Sequence, residues 1–231
     1  NTAHHHFDVL PAFGFQGQKC SACSRVIVLD AIYERFVSRL KEAAHSIKIG
    51  PAMDPANYMG PVVDSNARDK ILEYIAIGEQ EGSVLVKRDD LPDKGHYVPL
   101  TIIEGITPAH RLAQEEIFGP VLAVMRVKDF GQAPEWATST RQALTGGVFS
   151  RSPRNLERAR VEFRVGNLYL NRGITGALVE RQAFGGFKMS GIGTKTGGPD
   201  YLIQFMDPRC VTENTMRRGF APIEEEDDWV E

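Results

Sequence analysis

Short runs of apolar, β-branched residues alternate along this chain with segments whose apolar residues recur every three or four positions. Runs of strand length lie at residues 26–29, 84–86, 98–103, 121–125, 147–149 and 167–170. Helical spacing lies between them, at residues 32–47, 66–81, 130–144 and 153–163. Strands that alternate with amphipathic helices predict an α/β fold with a largely parallel, open sheet flanked by helices. In such folds, functional sites gather at the carboxyl ends of the strands.

The predicted helices begin and end at residues suited to those positions. Asp30, Asp129 and Ser152 each precede a helical segment and can cap its free N–H groups. Pro153 follows Ser152 at the first helical position, where its missing N–H costs nothing. Gly82 follows the second helical segment, and glycine commonly ends a helix.

The composition excludes several classes of protein. With 42% hydrophobic and 25% charged residues, the chain is neither collagen-like nor wholly disordered. A formal net charge of -3 gives no general attraction for nucleic acid or for an anionic membrane. Three cysteines argue against a secreted disulfide framework and for a reducing compartment, so we expect a cytoplasmic protein. We find no apolar run of the ~18 residues needed to span a bilayer and no signal-peptide pattern.

The two ends of the chain differ from its middle. His4–His6 either ligate a metal or are the remnant of an expression tag; we favour the tag and assign no metal site. We therefore expect residues 1–12 to be a tag-derived lead. Five consecutive acids at Glu224–Asp228 repel one another and have little apolar material nearby, which predicts an acidic tail over residues 217–231.

The segment Phe13–Arg25, which reads Phe-Gly-Phe-Gln-Gly-Gln-Lys-Cys-Ser-Ala-Cys-Ser-Arg, carries the clearest candidate for chemistry. If Cys20 opens a helical turn, the positive helix end lowers the thiol pKa and favours the nucleophilic thiolate. The free N–H groups of that turn would also stabilise an oxyanion, and Lys19 would add positive charge. The alternatives are a buried structural cysteine, a redox pair of Cys20 with Cys23, and a zinc site, which lacks a second Cys-x-x-Cys.

Three segments, in this order, resemble motifs of the aldehyde dehydrogenase superfamily. The segment Gly17–Arg25 is similar to that family's catalytic-cysteine segment, Glu115–Val121 to its cofactor-contacting segment, and Phe184–Gly191 to its late Phe-Gly-Gly…Ser-Gly loop. The resemblance covers nearly the whole chain from about Phe13 onward. One departure is Ala183, where the family usually has proline, and we expect this change to loosen the loop.

A finer resemblance concerns the substrate. The cysteine segment, then Asn171–Ala177 and Gly197–Leu202, are similar to the subgroup that oxidises L-glutamate γ-semialdehyde to L-glutamate with NAD in proline catabolism. The resemblance implies that Cys20 attacks the aldehyde to form a thiohemiacetal, which becomes a thioester that water hydrolyses. The backbone N–H of Cys20 would be one oxyanion donor.

The resemblance also assigns substrate-binding residues. Ser21 would offer its hydroxyl, and Gly176 and Ala177 their backbone N–H groups, to the carboxylate at the far end of the substrate. Uncharged donors hold a carboxylate when several converge on it. Phe184 would pack on the aliphatic part of the substrate. The alternatives are an ordinary turn at Thr175–Ala177 and an ordinary core ring at Phe184.

Two further residues are implied for the cofactor. Glu116 would accept a hydrogen bond from a ribose hydroxyl of NAD, which is a usual role for a carboxylate, and Phe118 would lie against the nicotinamide. The alternative is that Glu115 and Glu116 form a solvated acidic pair before the turn at Gly119–Pro120.

The family is longer than this chain, and its NAD-binding domain has no counterpart before Cys20. We therefore expect residues 13–199 to be the catalytic domain alone and to show no NAD-dependent oxidation by themselves. Alternating residues at Tyr201–Phe205 and Cys210–Thr212 predict strands of a C-terminal flap, residues 200–216, that joins another subunit in a homo-oligomer. The alternatives are a catalytically silent oligomerisation module with the same fold and another aldehyde dehydrogenase.

Overall fold

A computed structural model of the chain describes residues 10–214. The predicted tag remnant at His4–His6 and the predicted acidic tail at residues 217–231 lie outside these residues. Among the described helices, none is long and apolar enough to cross a membrane. The helices are α1 (Leu10–Phe13), α2 (Tyr33–Ser46), α3 (Ser65–Glu81), α4 (Arg111–Gln114), α5 (Gln132–Thr138) and α6 (Pro153–Glu162). The strands are β1 (Arg25–Leu29), β2 (Ser83–Lys87), β3 (Thr101–Glu104), β4 (Val121–Val127), β5 (Gln142–Ala143), β6 (Thr145–Val148), β7 (Asn167–Leu170) and β8 (Phe187–Lys188).

Four strands form the main sheet, in the order β1-β4-β3-β2. Strand β4 runs parallel to both β1 and β3, whereas β2 runs antiparallel to β3. The sheet is therefore mixed rather than wholly parallel, because β2 forms an antiparallel edge. Two further pairs lie outside it: β6 with β7, which is parallel, and β5 with β8, which is antiparallel.

Helices cover both faces of the central strand β4. Leu122 and Val124 pack in a core cluster with α2, and Ala123 and Met125 pack in a second cluster with α3. The helix residues in these clusters are Tyr33, Val37, Leu40 and Ala44 from α2, and Ile71 and Ile75 from α3. A strand buried on both faces has an unbroken apolar sequence, which explains why the run at residues 121–125 predicts β4.

The cap predicted at Ser152 is confirmed, whereas the N-cap of α5 is Gly131 rather than the predicted Asp129, which lies two residues earlier. Asp129 Oδ1 accepts hydrogen bonds from the N–H groups of Gly131 and Gln132, at 2.8 and 3.2 Å. Ser152 Oγ accepts one from the Asn155 N–H at 3.4 Å. Each carboxylate or hydroxyl satisfies backbone donors that the first helical turn leaves free.

The cap predicted at Asp30 is wrong. Asp30 lies in a 3-10 turn, Asp30–Ile32, and α2 begins only at Tyr33. The Asp30 carboxylate instead accepts a hydrogen bond from Arg126 Nε on β4 at 2.6 Å. A charged partner on the neighbouring strand competes for the carboxylate, and the buried face of α2 accordingly starts at Tyr33 rather than at the half-exposed Ile32.

Two other predicted elements differ in the structure. The helix predicted over residues 130–144 ends at Thr138, where side-chain hydroxyls of Thr138 and Ser139 bond back to helix carbonyls. Residues 142–143 then pair with β8. The strand predicted at Tyr201–Phe205 is a 3-10 helix, and the residues that follow it up to Asn214 form no strand. The β structure of the predicted flap is therefore absent from the described residues.

Candidate active site

A left-handed turn leads into the cysteine segment. Phe15, Gln16 and Gly17 have φ values of 53°, 58° and 69°, a region that residues other than glycine rarely adopt. At Gly17 the backbone is so close to the carbonyl of Gly119 that a Cβ would overlap its oxygen. This contact brings the cysteine segment against the residues that precede β4.

Two glutamine side chains attach this turn to the loop at residues 61–63. Gln16 Nε2 donates a hydrogen bond to the Pro61 carbonyl at 3.0 Å. Gln18 Oε1 accepts one from the Val63 N–H, also at 3.0 Å. Strained backbone persists only where the surrounding contacts hold it, so both amides support the turn that presents the cysteine segment.

Cys20 lies exposed in a turn that the Ala22 N–H closes by donating to the Lys19 carbonyl at 2.8 Å. The predicted helical turn at Cys20 is wrong, because residues 18–24 form no helix. The Lys19 ammonium lies 5.1 Å from the centroid of the Phe15 ring, so its charge rests over an aromatic face.

The neighbours of Cys20 differ from it in exposure. Ser21 is buried, and Cys23 is half-buried with its thiol donating to the Arg25 carbonyl at 3.3 Å. None of the three cysteines forms a disulfide, and Cys210 is distant from the other two along the chain and exposed. Within residues 10–214, no group of three or more histidine, cysteine or acidic side chains could hold a metal ion.

The segment before β4 presents Glu116 and Phe118 to solvent. Ile117 between them is buried against α3 and α4, while both neighbours are exposed. Phe118 has a φ of 60° and is 40% exposed, so its ring is an accessible flat surface. Lys70 of α3 donates from Nζ to the Glu116 carbonyl at 3.1 Å, which fixes the backbone at this point.

A charged cluster braces the same segment from Glu115. Arg111 Nε and Nη2 donate to the Glu115 carboxylate at 2.9 and 3.0 Å, and Tyr74 Oη donates to it at 2.5 Å. These bonds, first those from Arg111 and then that from Tyr74, lower the pKa of Glu115 to about 2. The same carboxylate raises the pKa of Tyr74. This cluster was not predicted from the sequence, although Arg111 and Glu115 have the four-residue spacing of a helical ion pair.

The remaining predicted residues lie in the loops between β7 and β8, away from the main sheet. Gly176 is exposed with a φ of 82°, and a Cβ there would meet open space. Within residues 10–214, neither the Gly176 nor the Ala177 N–H donates a hydrogen bond to a protein acceptor. Phe184 is half-buried and exchanges two backbone hydrogen bonds with Thr196, at 2.8 and 3.0 Å.

Asn167, the first residue of β7, holds the loop around Phe184. Its Nδ2 donates to the Ala183 carbonyl at 2.9 Å, and its Oδ1 accepts from the Gly185 N–H at 3.3 Å. The Asn167 amide is therefore hydrogen-bonded to the backbone on both sides of Phe184. Ala183, the predicted departure from the family pattern, lies in this anchored loop, and the anchoring role of Asn167 was not predicted from the sequence.

The predicted site residues thus occupy both ends of strands. Cys20 precedes β1, and Glu116 and Phe118 precede β4. Because β1 and β4 are parallel neighbours, all three residues lie at the end of the main sheet where these two strands begin. Gly176, Ala177 and Phe184 all come after a strand, β7. The expectation that all sites gather at carboxyl ends is wrong for the cysteine segment and for the segment before β4.

Residues 8–211 match the aldehyde dehydrogenase family. A curated relative, 1-pyrroline-5-carboxylate dehydrogenase from Geobacillus kaustophilus (strain HTA426), is 50% identical over 205 residues, which are 89% of this chain and 40% of the relative. 1-Pyrroline-5-carboxylate dehydrogenase 2 from Bacillus subtilis (strain 168) is 47% identical over 203 residues, which are 87% of this chain and 39% of the relative. The chain therefore spans about 40% of the length of the curated relatives that it matches.

Two solved structures have the same fold as this chain. Proline utilization A from Bdellovibrio bacteriovorus is 61% identical, with a TM-score of 0.87 over 94% of this chain and 22% of that one. A 1-pyrroline-5-carboxylate dehydrogenase from Thermus, solved with bound NAD, is 49% identical, with a TM-score of 0.85 over 88% of this chain and 39% of that one.

Proposed function

The chain belongs to the aldehyde dehydrogenase family, and from that premise we propose that it supplies the catalytic part of an NAD-dependent enzyme of proline catabolism. The reaction would oxidise L-glutamate γ-semialdehyde, the open form of 1-pyrroline-5-carboxylate, to L-glutamate. The observation that carries the proposal is the contact between Gly17 and Gly119. Because of this contact, the exposed Cys20 lies at the same end of the sheet as Glu116 and Phe118. The names of the relatives support the choice of substrate.

In the proposed reaction Cys20 acts as a nucleophile. Its sulfur, as thiolate, bonds to the aldehyde carbon, and the carbonyl oxygen takes up negative charge and then a proton, which gives a thiohemiacetal. The Cys20 N–H would be one donor to that oxygen. Loss of hydride and a proton leaves a thioester, and water then breaks the carbon–sulfur bond to release the acid and restore the thiol. NAD, when bound, supplies the hydride acceptor.

The substrate carboxylate would be held by donors without formal charge. The N–H groups of Gly176 and Ala177 suit this role, because within the described residues they have no protein acceptor. Ser21 is buried beside the exposed thiol, so its hydroxyl would lie deeper in the pocket than the sulfur. Phe184, anchored by Asn167 on both sides, would cover the aliphatic part of the substrate.

Two exposed groups suit the cofactor. The Glu116 carboxylate can accept a hydrogen bond from a ribose hydroxyl, and the Phe118 ring offers a flat apolar face for nicotinamide. Buried Ile117 and the bond from Lys70 keep both on the same side of the segment. These groups make one wall of a dinucleotide site, so we propose that this chain by itself neither holds NAD nor produces NADH.

We further propose that residues 13–199 form the catalytic unit and that residues 200–216 form the contact of a homo-oligomer. Leu202, Ile203 and Phe205 support this role, because each is more than half exposed in the single chain. Large exposed apolar patches mark surfaces that bind another protein. A cytoplasmic location remains part of the proposal.

One experiment on the chain itself tests whether Cys20 is a prepared nucleophile. Iodoacetamide labelling at neutral pH, followed by mass spectrometry, compares Cys20 with Cys210, which is also exposed. We expect Cys20 to react at least roughly tenfold faster, since a catalytic cysteine is a stronger nucleophile than a thiol that is merely exposed. Equal rates would contradict the proposal. Equal rates would favour the second candidate, a catalytically silent module. The absence of a helical turn at Cys20 is the observation that supports this candidate.

A second experiment tests the reaction in a full-length protein that carries this chain. NADH formation from glutamate γ-semialdehyde is measured for Cys20→Ala and for the matched Cys23→Ala. We expect Cys20→Ala to lose at least roughly a thousandfold in kcat and Cys23→Ala to keep most of the activity, because only one thiol attacks. A Cys20→Ala protein that turns over normally would rule out the mechanism.

A further inference from the structure

The C-terminus of α5 is bonded by two cationic side chains that come from distant parts of the chain. The last turn of a helix leaves its carbonyl oxygens without partners inside the helix, and the helix dipole makes that end negative. Here the oxygens concerned are those of Trp136, Ala137 and Thr138, together with Thr140 just beyond. We refer to these four oxygens as the carbonyl end of α5.

The first cation is Arg25, which is the last residue of the cysteine segment and the first residue of β1. Its Nη1 donates to the Trp136 carbonyl at 3.4 Å and its Nη2 to the Ala137 carbonyl at 3.1 Å. Arg25 is half-buried, and burial lowers the pKa of its guanidinium, against the opposing effect of Cys23. A desolvated guanidinium needs several acceptors, and the helix end supplies two of them.

The second cation is Lys188 in β8, which follows the loop around Phe184. Its Nζ donates to the Thr138 carbonyl at 2.6 Å and to the Thr140 carbonyl at 2.8 Å. Lys188 has a φ of 53°, in the left-handed region that non-glycine residues rarely adopt. A strained residue of this kind is kept in place by the contacts around it, and these two hydrogen bonds are such contacts.

The end of α2 provides a comparison within the same fold. Arg88 Nη1 donates to the carbonyls of Ala44, His45 and Ile47 at 3.0, 3.1 and 3.1 Å. That helix end is thus satisfied by one side chain. At α5 two like charges meet at one helix end, which is tolerable because each lies against separate carbonyl oxygens. The arrangement joins two segments that no strand pairing joins within the described residues.

We propose that Arg25 and Lys188 are positioning residues, which hold the cysteine segment and the Phe184 loop in a fixed relation by sharing the carbonyl end of α5. The inference rests on the proposed function, in which Cys20 and Phe184 act on the same substrate. Neither cation needs to touch that substrate. Each acts through α5, which lies between them. Loss of the bonds from one segment to α5 should therefore also loosen the other segment.

Hydrogen exchange of the chain, followed by mass spectrometry or NMR, tests this coupling. The reporter in the cysteine segment is the Ala22 amide, which donates to Lys19, and the reporter in the loop is the Met189 amide, which donates to Arg141. In Lys188→Met, we expect Ala22 to exchange roughly threefold faster, although it lies outside the altered loop. In Arg25→Met, Met189 should respond in the same way, and Lys188→Arg should restore the original rate at Ala22.

The control is Lys87→Met, which removes an ammonium that bonds Glu79 at 2.7 Å elsewhere in the fold. It should leave both reporters unchanged. The amide of Ile75 in α3 reports global stability. Unchanged exchange at Ala22 in a folded Lys188→Met protein, or a change matched by Ile75, would overturn the proposal. Should Arg25→Met fail to fold, the Lys188 variants decide alone. The readout is independent of thiol reactivity, so it stands or falls separately from the iodoacetamide test.

Discussion

The backbone of Gly17 lies against the carbonyl oxygen of Gly119, and this contact joins the two loops that enter β1 and β4. The parallel pairing of those strands continues the contact, since Arg25 lies opposite Ala123. The Ala123 N–H also donates to the Ser24 carbonyl at 3.0 Å. Backbone contacts, rather than side chains, therefore fix the position of the loop that carries Cys20 relative to the loop that carries Glu116.

The first prediction concerns Gly17→Ala. A methyl group there meets the Gly119 oxygen and also a φ of 69°, so we expect a loss of about 3 kcal/mol in the free energy of unfolding. The matched control is Gly105→Ala, where φ is 78° but no atom lies within 4 Å. That control should lose only about 1 kcal/mol, from backbone strain alone. Urea unfolding measures both; equal losses would mean that the close contact is unimportant.

The second prediction concerns the titration of Glu115. Its pKa is lowered to about 2 from an ordinary 4.5, chiefly by Arg111. A lowered pKa means that the contribution to stability is complete above about pH 4.5 and is lost as the pH falls towards 2. In Arg111→Met the pKa of Glu115 should rise towards its ordinary value, as measured by NMR of the side-chain carboxyl. Arg158→Met, which breaks a similar pair with Glu162, should leave Glu115 unaffected.

The third prediction concerns the start of α3. Asp64 Oδ1 accepts a hydrogen bond from the Ala67 N–H at 2.8 Å and caps the helix. Asp64→Ala should therefore cost about 1 kcal/mol of unfolding free energy, the usual value for a lost cap. Asp69→Ala, in the exposed part of the same helix, should change stability by less than about 0.5 kcal/mol. Chemical denaturation compares the two; a larger loss in Asp69→Ala would contradict the assignment of the cap.

The fourth prediction concerns assembly. Replacing Ile203 and Phe205 by serine should shift the chain from oligomer towards monomer at the same concentration, because both are exposed apolar side chains at the proposed contact. Met53→Ser removes an even more exposed apolar side chain from another loop and should not change the mass. Light scattering after size-exclusion chromatography reads the result. A monomeric unsubstituted chain would remove the basis for a contact at residues 200–216.

Local patterns in the sequence predict the elements that bury most apolar surface. The unbroken run at residues 121–125 predicts β4, and the spacing of Ile71 and Ile75 predicts α3, because both patterns are set by what each element packs against. The cap predicted at Asp30 is wrong because its side chain is bound by a residue that is distant in sequence. Its carboxylate bonds Arg126, a partner 96 residues away that no local pattern contains.

The residues of the proposed site can be named from the sequence, but their place in the fold cannot. The resemblance selects Cys20, Glu116 and Phe118, and the structure brings their segments together. Their place at the end of the main sheet where β1 and β4 begin depends on the strand order, which local spacing does not encode. The left-handed turn at Phe15 and Gln16 has no signal either, since neither residue is a glycine. The roles of these residues in catalysis remain predictions.

The two halves of the proposed pocket differ in what supports them. Glu116 and Phe118 run directly into β4, the strand covered by helices on both faces, whereas Gly176 and Phe184 follow β7 on a two-stranded ladder. A change of sequence on the first side would have to be accommodated next to β4, which is buried on both faces. We expect relatives that accept other aldehydes to differ mainly on the second side, where a loop can be reshaped while the remainder of the fold is left intact.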